Sequence, residues 1–123
     1  IGKACALVEG LGLHYRLSKL AAGDCSASMA TTYDIELWIP SMNEYKECSS
    51  VSNAHEYQAR RGNIRFRRAD SKKTEYLHTL NGSGLATSRV IPAIVEQYQQ
   101  ADGSVVVPEV LRPFLGVDVL RKK

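Results

Sequence analysis

The sequence predicts an α+β fold: an antiparallel sheet with helices packed on it, not a parallel Rossmann arrangement. Two observations carry this. Residues 33–40 alternate, with Tyr33, Ile35, Leu37 and Ile39 on one side and Asp34, Glu36 and Trp38 on the other, the pattern of a strand with one packed face. Further strand signals lie close by, separated by turn residues, and a long apolar helix-like run, residues 85–100, follows them.

Composition allows this fold and excludes several function classes. A chain of 123 residues suits one domain, and 44% hydrophobic residues permit a core. The net charge of +3 is too small to diagnose nucleic-acid binding. Cys5, Cys25 and Cys48 are odd in number and form no C-x-x-C pair. They favour neither a disulfide framework nor a zinc knuckle. No run has transmembrane length, and no secretory signal pattern is visible.

Residues 4–11 read as the end of a helix stopped by Gly10 and Gly12. Residues 13–20 read as a strand, because Leu13, Tyr15 and Leu17 alternate with His14, Arg16 and Ser18. His14 has no partner at metal-ligand spacing and is read as structural. Residues 21–32 are rich in small side chains, with a turn at Ala22-Gly23-Asp24, and Cys25 serves as a small hydrophobe. In the strand at 33–40, Asp34 and Glu36 share a face. They suit acid chemistry or partnership with nearby arginines, and the second is the preferred reading. Pro40 ends the run because it lacks an N–H, and residues 41–43 make a hairpin connection.

Residues 44–50 return as the next strand. Glu47 and Ser50 offer the hard oxygen ligands that magnesium takes. Three positions apart, they fall on opposite faces of an ideal strand. Sharing a cation requires a bulge or turn just after Glu47. On the residues alone, an ordinary strand-end glutamate is the plainer reading. Residues 53–61 suit a short helix with Asn53 as N-cap, Glu56 at N3 and Tyr57 against the sheet. Arg60 and Arg61 sit at its favourable C-terminal end. Residues 63–68 form a strand with Ile64 and Phe66 packed and Arg65 and Arg67 opposite. Arg60, Arg61, Arg65, Arg67, Arg68, Lys72 and Lys73 make this the most basic part of the chain. It is either a solvated face or an RNA-backbone contact, and it lacks an aromatic stacking series. Residues 70–74 form a hairpin tip.

Residues 76–80 are extended and stop at a turn, Asn81-Gly82. Gly82 and Gly84 leave the backbone exposed and free in its dihedrals. Arg89 sits near the start of the helix-like run, where a cation opposes the helix dipole. A ligand phosphate, a salt bridge or solvent would each relieve it. Pro92 lies inside this run, so either the helix bends over 88–92 or its regular part starts near Arg89. A turn at Asp102-Gly103-Ser104 precedes an extended stretch, 105–107. Pro108 then opens a brief helix, packed back by Leu111 and Phe114, and residues 117–123 form a tail.

The run HTLNGSGLATSR, residues 78–89, resembles the third signature motif of seryl-tRNA synthetases, which are class II aminoacyl-tRNA synthetases. The flanking runs agree: YDIELWIPSMNEYKECSSVSNAHEYQARR before it and VEQYQQADGSVVVPEVLRPFLG after it. The resemblance covers residues 13–116. The resemblance implies the antiparallel class II catalytic sheet, with a small helical segment within 21–32. The family's E-x-x-S element falls on Glu47 and Ser50 and implies magnesium bound to ATP. Asn81 and Ser83 fall where the amino acid binds, and their amide and hydroxyl suit a small polar substrate. Arg89 matches the motif-three arginine that contacts the ATP phosphates and serves catalysis. His78 matches no general base and is read as structural. Two departures stand out. Ala54 occupies a place that often holds cysteine, and the family does not need proline at 92.

The implied function is ATP-dependent activation of L-serine and its transfer to tRNA(Ser). The implied setting is cytoplasmic or organellar, without a membrane, in an enzyme that is a homodimer at full length. The first and second motifs, a phosphate-binding arginine and the tRNA-binding arm are expected upstream. Residues 1–123 are therefore read as the C-terminal part of a serine-activating catalytic domain, inactive alone. The alternatives are an amino acid:carrier-protein ligase, a catalytically inactive synthetase-like structural or regulatory protein, and a small RNA-binding domain around the basic hairpin.

Overall fold

A computed structural model describes residues 1–122. Its centre is a four-stranded antiparallel sheet of β1 (Tyr15–Lys19), β2 (Thr31–Ile39), β3 (Glu44–His55) and β6 (Thr79–Gly82), in that spatial order. Each central pairing joins neighbours in an antiparallel sense, so the expected fold class holds. Helices α1 (Gly2–Gly10) and α3 (Thr87–Gln97) cover one face. Val8, Leu13, Ile35, Leu37, Ile39, Cys48, Val90 and Ala93 form the core between sheet and helices. The alternation of β2 produces this directly, because Ile35, Leu37 and Ile39 are all buried.

The register of β3 contains one irregularity. Glu36 faces Glu47, yet Ile35 faces Ser49, so Cys48 is an extra residue in the ladder. Cys48 turns into the core, where it is 2% exposed. This is the bulge that a shared Glu47–Ser50 site requires.

Several expected elements move. Residues 21–32 contain turns and no helix. The expected helix over 53–61 starts later: β3 runs to His55, and α2 is Tyr57–Gly62. Asn53 is a strand residue opposite Thr31 and Leu80, and its Oδ1 accepts the His55 N–H at 2.9 Å. Cross-strand pairing outcompetes the local cap here. Tyr57 is exposed, and the Arg61 guanidinium lies 4.5 Å from its ring centre. Strand β4 (Arg65–Arg67) pairs only with β5 (Thr74–Tyr76). Ile64 and Phe66 therefore have no sheet to pack on and stay exposed.

Asn81 and Gly82 do not form a turn; both continue β6. Neither Gly82 nor Gly84 adopts positive φ. Helix α3 runs continuously through Pro92. Beyond it, β7 (Val105–Val106) pairs with β8 (Val119–Leu120), so part of the expected tail is a strand. A 3₁₀ turn, Glu109–Leu111, and the four-residue α4 (Arg112–Leu115) lie between them. Phe114 is 85% exposed and does not pack back.

Candidate active site

The face of the sheet opposite the helices is polar. Cross-strand register puts Arg16 beside Glu36, Ser18 beside Asp34, Asp34 beside Ser50, Glu36 beside Glu47, and Ser52 beside Asn81. Paired residues of an antiparallel ladder share a face. The Thr32 and Ser52 hydroxyls bond to each other at 2.9 Å on this side. The Trp38 and Tyr45 rings meet there with centres 5.0 Å apart. Without the bulge, Glu47 and Ser50 would lie on opposite sides. With Cys48 turned inward, Glu47, Ser50 and Asn81 come to one face.

The same bulge docks the third helix. The Ala86 N–H donates to the Cys48 carbonyl at 2.8 Å, and Arg89 Nη1 donates to the Glu47 carbonyl at 3.0 Å. The carbonyls at the ladder irregularity are thus taken up by the segment that starts α3. Arg89 is held beside Glu47 although 42 residues separate them. Ser83 extends the β3–β6 pairing: its N–H donates to the Ser50 carbonyl at 3.3 Å, and its Oγ accepts the Ser50 N–H at 3.4 Å. The Ser83 hydroxyl also lies 3.2 Å from the buried Ser49 Oγ, which itself donates to the Ser83 carbonyl at 2.8 Å. Glu47, Ser50, Ser83 and Arg89 therefore lie around one ladder irregularity, with Asn81 further along the same face opposite Ser52. Ser83 is the most engaged in internal hydrogen bonds.

The two carboxylates of β2 part company. Glu36 forms an ion pair with Arg16, whose guanidinium also lies 4.4 Å above the Tyr45 ring. Asp34 has no such partner. It is 7% exposed, and its Oδ1 is buried without a hydrogen-bond partner among the described residues. The sequence reading paired both acids with arginines, and the structure grants this to Glu36 only. Cys48 sits under the site, and burial pushes its thiol up to about 11.

Glu47 and Ser50 suit magnesium: one carboxylate and one hydroxyl fit an ion that takes its remaining oxygens from phosphate and water. Among the described residues, no group of three His, Cys, Asp or Glu side chains could hold a metal alone. A cation here would take the rest of its shell from oxygens other than these side chains. The orphaned Asp34 oxygen lies next to Ser50 in the ladder, too buried to reach a cation itself.

The basic hairpin differs in character. Arg60 and Arg65 lie 4.7 and 4.5 Å from the Tyr76 ring centre, and Arg68 lies 5.3 Å from that of Phe66. The aromatic faces are occupied by the chain's own guanidiniums. Glu56 pairs with Arg60, and Glu75 pairs with Arg68, which holds the Glu75 carboxyl below its usual range. His78 stacks near His55, ring centres 5.2 Å apart. His14 contacts the Tyr45 hydroxyl at 2.6 Å. No helix among the described residues is long and apolar enough to cross a membrane.

Cys48 supplies the bulge that the sequence required just after Glu47, and its side chain packs in the core. A cysteine between two polar site residues is the available signal, since an apolar side chain there must find the core and can do so only by breaking the alternation.

A family model of the tRNA synthetase class II core domain (G, H, P, S and T) matches residues 3–98. The serine–tRNA ligase 2 of Clostridium acetobutylicum is 76% identical over 120 residues, covering 98% of this chain and 28% of that protein. The serine–tRNA ligase of Thermodesulfovibrio yellowstonii is 60% identical over 115 residues, covering 94% of this chain and 27% of that protein. Among solved structures, the seryl-tRNA synthetase of Pyrococcus horikoshii complexed with ATP superposes with a TM-score of 0.92 at 40% identity. That match covers 99% of this chain and 27% of the other. The chain thus spans under a third of the length of the relatives it matches.

Proposed function

The chain belongs to the class II tRNA synthetase core-domain family, and on that premise we propose that it supplies part of the active site of a seryl-tRNA synthetase. The reaction has two steps. A carboxylate oxygen of L-serine attacks the α-phosphate of ATP, forming seryl-adenylate and expelling pyrophosphate. A terminal ribose hydroxyl of tRNA(Ser) then takes the seryl group and releases AMP. No side-chain nucleophile is required, so catalysis rests on alignment and on electrostatic stabilisation of phosphate charge.

In this reading Asn81 and Ser83 bind serine through an amide and a hydroxyl. Arg89 serves catalysis by presenting its guanidinium to the ATP phosphates from the start of α3. Glu47 and Ser50 hold Mg2+ together with those phosphates. When bound, the ion neutralises charge on the phosphate oxygens. The longer enzyme acts on tRNA(Ser) as a cytoplasmic homodimer, and residues 1–123 form one part of its serine-activating domain.

The observation that carries the proposal is the bulge at Cys48, which brings Glu47 and Ser50 to one face, while Arg89 donates to the Glu47 carbonyl. The test uses a full-length host: the Clostridium acetobutylicum ligase with its matching segment replaced by this chain. In that host, Glu47→Ala is expected to lower serine-dependent ATP–pyrophosphate exchange about 100-fold while thermal unfolding stays close to the parent. Unchanged exchange across a magnesium titration, in a folded variant, rejects the assignment.

A further inference from the structure

The orphaned carboxylate oxygen of Asp34 is the one buried side-chain atom among the described residues left without a hydrogen-bond partner. A buried, unpartnered carboxylate oxygen costs free energy unless something donates to it. Its neighbours narrow the donor. Asp34 lies between Ser18 on β1 and Ser50 on β3, its register partners on the same sheet face. The next hydroxyls along the ladder, Thr32 and Ser52, are bonded to each other. The next acid, Glu36, is held by Arg16.

We infer that Asp34 is a positioning residue that acts through Ser50: its Oδ1 accepts the hydroxyl hydrogen of Ser50 and thereby points an Oγ lone pair at the cation held with Glu47. The inference rests on the Glu47–Ser50 reading and extends it to a residue that does not touch the ion. A hydroxyl that ligates a cation must place its own hydrogen elsewhere, and the hydrogen-bond partner of a ligand sets its orientation and basicity. Cross-strand partners have Cβ atoms about 4.5–5.5 Å apart. A χ1 rotation of Ser50, on the ps–ns scale of partly exposed side chains, closes the bond. Asp34 itself is too buried for direct ligation, and it forms no three-residue ligand group with neighbouring acids.

The test is a double-mutant cycle read by direct cation binding. Mn2+ is titrated into the full-length host with a non-hydrolysable ATP analogue, and free Mn2+ is followed by electron paramagnetic resonance. Asp34→Ala is expected to weaken Mn2+ binding about tenfold. Asp34→Asn, which keeps the shape and a neutral acceptor, recovers part of it. In a Ser50→Ala background the Asp34 substitutions cost nothing further, and Ser18→Ala leaves binding unchanged. If the Asp34 penalty persists in full without the Ser50 hydroxyl, or if Ser18→Ala reproduces it, the inference is overturned. If Ser50→Ala itself leaves Mn2+ binding intact, the underlying site assignment fails and this inference fails with it. Should Asp34→Ala unfold, the same cycle with Asp34→Asn reads the coupling.

Discussion

Cys48 links stability to the site at the scale of a single residue. Its side chain fills the core beneath the sheet while the backbone on either side presents Glu47 and Ser50 outward. Burial favours the protonated thiol, raising it from a usual 9.0 to about 11. The sign follows from linkage: the thiol's contribution is complete below pH 9 and is lost as pH rises through about 11. Tyr15, pushed up to about 12 chiefly by its hydrogen bond to Glu9, adds to the same alkaline loss. Thermal unfolding of the full-length host from pH 8 to 11.5 should therefore show a decline that Cys48→Ala reduces but does not abolish. The same variant should lose about 1 kcal/mol near neutral pH. A pH profile parallel to the parent's would contradict the assignment.

Helix α3 is the element that carries Arg89, and two features set its position. At its far end the Tyr98 hydroxyl donates to the Leu11 carbonyl at 2.7 Å, tying α3 to the turn after α1. Gly12 occupies that turn with φ +66°, and a Cβ there would overlap the Tyr98 hydroxyl. Gly12→Ala should destabilise by more than about 1 kcal/mol, because it combines left-handed strain with a lost contact. The urea midpoint measures this. Pro92 interrupts α3 without ending it, and the Ser88 carbonyl loses its helical N–H donor. Pro92→Ala restores that donor. It should raise the urea midpoint, by up to about 3 kcal/mol in free energy, and leave exchange activity close to the parent's. A lower midpoint would mean that the proline ring packs usefully in this setting.

The molecule as a whole presents a sheet with one covered face and one polar face carrying the candidate site. Glu47, Ser50, Asn81, Ser83 and Arg89 are the proposed site residues of a chain that spans under a third of the length of its relatives. The 123-residue chain alone should give no serine-dependent pyrophosphate exchange above background, while the full-length host does. Loss of one half of the alignment costs several factors of ten at least. Comparable rates from the chain alone would show that the division of the site is wrong. The alternation of β2 and the apolar run of α3 were legible in the sequence because they obey local periodicity, which neighbours reinforce. The ordered run from Tyr33 to Gly116 carried the family for the same reason: it needs no three-dimensional context to be read. Tertiary structure alone decided that Asn53 and Asn81 lie in strands, since ladder bonds to distant segments outweigh a local cap or turn. It alone decided that Phe66 and Phe114 stay exposed, because no facing element reaches them. It also decided that Glu47 and Ser50 share a face, because the extra residue in the ladder exists only relative to its partner strand.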